Sequence, residues 1–118
     1  MSSILVDTRI KLGIEDESET VSDFDKELIT LINSSFATLR QIGAITELYS
    51  IIDSSSEWDD VPSANKVVAS MIPDYIYKKT RVEFDPPSSS FVLQSMKDGI
   101  TELANRMLIE AEVGDPDV

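Results

Sequence analysis

The sequence predicts an all-α fold: a small helical bundle containing one long helical hairpin, with a short extended segment around residues 44–56. Three observations carry this expectation. Apolar residues recur every three or four positions in the regions 25–42, 67–82 and 93–107, the spacing that puts them on one face of a helix. Glycines stand where two of the helical patterns stop, at Gly13 and Gly43. Finally, Asp85-Pro86-Pro87-Ser88-Ser89-Ser90 breaks one amphipathic stretch and starts another within six residues.

The first element is expected over 3–12, with Ile4, Leu5, Thr8 and Leu12 near one face and Gly13 as the residue after the cap. The acidic run 15–22 reads as a loop. A second helix opens at Ser22 or Asp23, where Ser22 and Asp25 approximate a capping box. Leu28, Ile32, Phe36 (or Ser35), Leu39 and Ile42 recur at helical spacing along it, and Gly43 ends it. Residues 44–60 are ambiguous between helix and strand, with the extended reading favoured around Leu48–Ile52. Trp58 is expected to plug the core and to give its indole N–H to a backbone acceptor.

A third helical region is expected from Val61 to Phe84, with Pro62 at its first position and Ser63 available as a cap. Its stripe is Val67, Val68, Met71, Tyr75 and Val82. Pro73 lies inside it and either kinks the helix or splits it. Asp85 is pushed out of helical geometry by the proline that follows. One of Ser88, Ser89 and Ser90 caps the last helix, whose seam is Leu93, Met96, Ile100, Leu103 and Met107. Gly99 within this helix is read as room for a close neighbour. The expected division is one domain over 1–109 and an acidic, flexible tail over 110–118.

Composition narrows the function. The chain of 118 residues has no cysteine and no histidine, which removes thiolate and imidazole metal ligands and the nucleophile–histidine pairs of many hydrolases. Ser63-Ala64-Asn65-Lys66 matches S-x-x-K, but without companion motifs a helix cap is the better reading. Asp16, Ser18 and Thr20 faintly echo a calcium loop but lack its central glycine. No glycine pair makes a phosphate cradle, and no carboxylate pair is singled out. No enzymatic activity, cofactor, metal or membrane contact is expected. The 22 acids against 10 bases leave a net charge of −12, which repels a phosphate backbone. Lys78, Lys79 and Arg81 form the one basic cluster; it is either a solvated face or a contact with an acidic neighbour or phosphate.

The string Tyr77-Lys78-Lys79-Thr80-Arg81-Val82-Glu83-Phe84-Asp85-Pro86-Pro87-Ser88-Ser89-Ser90-Phe91-Val92-Leu93 resembles the signature of bacteriophage head–tail connector proteins. Those are small adaptors that dock beneath the portal ring of long-tailed phages. Phe24–Gly43 resembles the first long helix of that family with its closing glycine, and Trp58-Asp59-Asp60 the approach to the next helix. The resemblance spans about Ile4 to Met107. It implies a mostly helical protomer in a homo-oligomeric ring of about twelve copies. That ring would sit on the portal protein, prolong the DNA channel without binding DNA specifically, and carry a further neck, stopper or tail protein. It also implies a place in the virion neck after synthesis in the host bacterial cytoplasm. On this reading Lys78, Lys79, Arg81, Phe84, Asp85, Pro86 and Pro87 are the candidate subunit or portal interface. The competing reading is a small acidic regulator or DNA mimic that binds a basic partner.

Overall fold

The computed structural model describes residues 3–14 and 23–113. Four α-helices are present among them: α1 (Ile4–Lys11), α2 (Asp23–Gln41), α3 (Lys66–Phe84) and α4 (Ser90–Val113). A short 3-10 turn, Trp58–Asp60, precedes α3. The all-α expectation holds. No described helix is long and apolar enough to cross a membrane.

Helix boundaries follow local chemistry. The Ser3 hydroxyl accepts the Val6 N–H and caps α1. At its other end Gly13, at φ 85°, lets Gly13 N–H reach the Ile10 carbonyl and Ile14 N–H reach that of Arg9. Gly43, at φ 83°, closes α2 in the same way, with bonds from Gly43 to Arg40 and from Ala44 to Leu39. A side chain at either glycine would be forced into a backbone conformation that L-residues avoid.

α3 is the central element and packs against α1, α2 and α4. The α2 and α3 helices run antiparallel: Phe24 meets Phe84 at one end, and the Ala64 N–H donates to the Ala44 carbonyl at the other. Leu28, Ile32, Phe36 and Leu39 of α2 are fully buried against Val68, Ile72, Tyr75 and Ile76 of α3. Ile4 and Leu5 of α1 and Ile100 and Met107 of α4 complete the core. Each such side chain contributes about 1.5–3 kcal/mol by leaving water.

Several expectations need correction. α3 begins at Lys66, later than Pro62 or Ser63 allows, because Asn65 caps it: its Oδ1 accepts the Val68 N–H at 2.9 Å. Pro62 instead turns its carbonyl to the Thr46 N–H at 2.8 Å, and Ser63 pairs with Ile45 in an isolated β-bridge. Pro73 does not split α3, which is continuous through it. The Trp58 indole donates to the Asp7 carboxylate at 2.9 Å rather than to backbone, so the ring ties the 3-10 turn to α1. Asp25 is 1% exposed and pairs with Arg9, also 1% exposed, at 3.3 Å. Ser22, its expected capping partner, lies outside the described residues, as does the stretch read as a calcium echo. Nothing stands within 4 Å of a Cβ built on Gly99, so the glycine is not there for close helix approach. α4 continues to Val113, so residues 110–113 of the expected tail are helix; residues 114–118 lie outside the described residues.

The segment 44–56 contains no helix. Tyr49 and Ile51 face inward while Leu48, Ser50 and Ile52 are exposed, the alternation of an extended strand. No neighbouring strand pairs with it there. The Asn33 side chain of α2 takes that part: its Nδ2 donates to the Ile51 carbonyl at 2.9 Å and its Oδ1 accepts the Ile51 N–H at 2.8 Å. Tyr49 packs edge-on to Phe36, with centroids 5.2 Å apart.

Candidate interaction surface at the helical corner

The end of α3 and the start of α4 form the antiparallel hairpin that the proline-rich corner predicts. Asn65, which caps α3, also donates from Nδ2 to the Glu110 carbonyl of α4 at 3.0 Å. The seam faces inward as expected: Ile100 and Met107 are buried, and Leu93, Met96 and Leu103 are half-buried. At the corner, the Asp85 N–H still reaches the Arg81 carbonyl at 2.9 Å, but Asp85 itself has left helical geometry at φ −144°, ψ 69°. Pro86 and Pro87 follow without amide donors. The Ser89 hydroxyl then accepts the Val92 N–H at 3.3 Å, and its carbonyl accepts that of Leu93 at 2.9 Å, so Ser89 is the serine that caps α4.

The structure places the predicted site residues in two groups. Phe84, Asp85, Pro86 and Pro87 occupy the tip. Phe84 is half-buried and meets Phe24 edge-to-face, centroids 4.8 Å apart and planes at 85°. Asp85 and Pro86 are exposed, and Pro87 is half-buried. Lys78, Lys79 and Arg81 lie along the last turns of α3. Each has a partner: Lys78 holds Asp74 at 3.1 Å, Lys79 holds Glu83 at 3.8 Å, and Arg81 donates to the Tyr77 hydroxyl at 3.3 Å. The two lysine–acid pairs fall at the helical i, i+4 spacing, so the cluster is compensated locally and not a bare cationic patch. The hydrogen bond to Tyr77 raises the Arg81 pKa further above its usual value, keeping the guanidinium charged.

Sequence reasoning missed other exposed apolar groups. Phe91 is 82% exposed and Val92 47%, beside the corner. Leu48 and Ile52 are 72% and 80% exposed on the extended segment, and Ile109 and Val113 are 58% and 73% exposed at the far end of α4. The signal was present in each case: these residues fall off the 3–4 spacing of the seam, or on the outward half of the strand-like alternation. Two shallow grooves run along the hairpin. One of about 430 Å³ lies near the corner between Lys79, Val82 and Glu83 of α3 and Lys97, Ile100 and Thr101 of α4. The other, of about 210 Å³, is lined by Asp74 and Lys78 of α3 and by Gly99, Glu102, Leu103 and Arg106 of α4. No group of three or more acidic side chains suited to a metal ion occurs among the described residues.

The four helices pack around one core, and apolar side chains stay exposed at the corner, on the extended segment and at the end of α4. The chain belongs to the phage connector protein family, whose model matches residues 4–114 and so takes in all four helices and the corner. No curated protein and no solved structure matches it at a significant level.

Proposed function

We propose that this phage connector protein is a head–tail adaptor of the virion neck. Copies of it form a ring on the portal protein, in line with its DNA channel, and offer a docking surface to a neck, stopper or tail protein. The described helices act as one connector unit, and the role is structural rather than enzymatic. The family match carries this reading, because it spans nearly the whole chain. The apolar groups left exposed at the corner, on the extended segment and at the end of α4 support it, since a subunit with several neighbours needs several such faces. The corner residues Phe84, Asp85, Pro86 and Pro87, with Lys78, Lys79 and Arg81 behind them, form one of these contact faces.

Charge supports a passage for DNA that does not grip it. The net charge is −12, and both lysines of the basic cluster are held by acids of the same helix. No gel shift with duplex DNA is therefore expected at physiological salt.

The test is electron microscopy and mass measurement of the purified protein with and without portal rings. Added density of many copies on the portal is expected. A protein that stays small beside the portal, and competes with DNA for a basic partner, would instead establish an acidic mimic.

A further inference from the structure

The ends of the helices differ in one electrostatic respect. The last turns of α1, α2 and α3 carry Arg9 and Lys11, Arg40, and Arg81, cations that suit the negative end of a helix dipole. The last turn of α4 carries no base, and Glu110 and Glu112 stand there instead. Acids at that end work against the helix. The same turn exposes Ile109 by 58% and Val113 by 73%. Among the described residues the Glu110 carbonyl accepts from Asn65, but no cation pairs with the carboxylates of Glu110 and Glu112.

The complement lies at the other end of the hairpin. The groove of about 430 Å³ near the corner has Val82 and Ile100 as its apolar part and Lys79 and Lys97 as its cations. Glu83 already holds Lys79 at 3.8 Å, whereas Lys97 makes no ion pair among the described residues. Lys97 and Glu112 are on one rigid helix, 15 residues apart, which at the helical rise is about 22 Å. A chain cannot bring its own helix end into its own groove.

We propose that the last turn of α4 of one copy docks into the α3–α4 groove of the next copy, head to tail, with Ile109 and Val113 against Val82 and Ile100 and with Glu112 on Lys97. This contact uses two different patches, so it propagates from copy to copy and closes when the rotation between copies allows it. It rests on the reading that copies of this chain assemble, and adds which surfaces meet.

The separation of the two residues supplies the test. Full-length protein in natural-abundance and ¹⁵N-labelled forms is mixed, alone at high concentration and on portal rings, and treated with a zero-length carbodiimide. Peptides joining Lys97 of one label to Glu110 or Glu112 of the other are expected. Lys97→Glu and Glu112→Lys should each weaken association about tenfold or more, and the double variant should regain it because the charges are exchanged. Assembly on the portal without that cross-link, or a double variant no better than the singles, overturns the inference and leaves the connector ring standing. Loss of portal binding by Lys97→Glu with no Lys97–Glu112 cross-link in the wild type also overturns it, and gives the groove to another partner. Copies that fail to associate under either condition overturn both.

Discussion

Replacing Phe84 by alanine distinguishes a packing role from a contact role at the corner. Complete truncation of a buried phenylalanine costs about 3–5 kcal/mol. Phe84 is half-buried, so about half of that applies, roughly 2 kcal/mol. Its edge-to-face contact with Phe24, at 4.8 Å, adds about 0.5–1.5 kcal/mol. The expected loss is about 2.5–3.5 kcal/mol in all. For a chain of 118 residues each kcal/mol is worth about 4 °C in melting temperature, so a fall of roughly 10–14 °C is expected. Thermal unfolding by circular dichroism measures it. A double-mutant cycle with Phe24→Ala isolates the ring pair and should return a coupling of about 0.5–1.5 kcal/mol. A Phe84→Ala protein that melts like the wild type would refute the packing argument. If that protein then failed to assemble on the portal, Phe84 would be an interface anchor. If it assembled normally, both roles would fall.

Asn33→Ala removes both hydrogen bonds to Ile51, a residue 1% exposed; a loss of about 2–3 kcal/mol is expected in urea unfolding, and a change under about 0.5 kcal/mol would show that the segment is held by packing alone. Gly99→Ala should stabilise the protein by about 1 kcal/mol, since the site is helical and open, whereas Gly43→Ala, at φ 83°, should destabilise it; equal effects of the two would contradict the backbone argument. Burial, and then the charge of Glu83, raise the Tyr75 pKa above its ordinary 10.0. The unfolded chain therefore loses this proton first. The contribution is intact below about pH 10 and is lost as pH rises through the folded value. Melting temperatures above pH 10 should fall less steeply for Tyr75→Phe than for wild type, and parallel curves would rule the group out.

Regular periodicity and punctuation were legible without the structure. Leu28, Ile32, Phe36 and Leu39 pointed to the core because helical spacing alone puts them on one side, and Gly13 and Gly43 marked ends because their backbone angles are closed to other residues. The corner was legible for the same local reason: two prolines and a serine cap act on their immediate neighbours. The resemblance to connector proteins rested on this local pattern too, and the family match agrees with it.

What only tertiary structure decided were partnerships across long sequence distances. Asn33 reads as one more polar residue on a helix until Ile51, 18 residues on, arrives beside it. Arg9 and Asp25 form an internal ion pair that neither local sequence announces. Asn65 outcompeted Pro62 and Ser63 for the start of α3 because its amide both caps that helix and reaches Glu110 of α4. The lysines of the basic cluster were read as a possible patch from adjacency along the chain, and the helix instead brings each to an acid one turn away. Local sequence sets which backbone conformations are open at each position. Which polar side chains are satisfied, and by which partner, depends on what the packed helices bring within about 3 Å of one another, and that distance exists only in the folded protein.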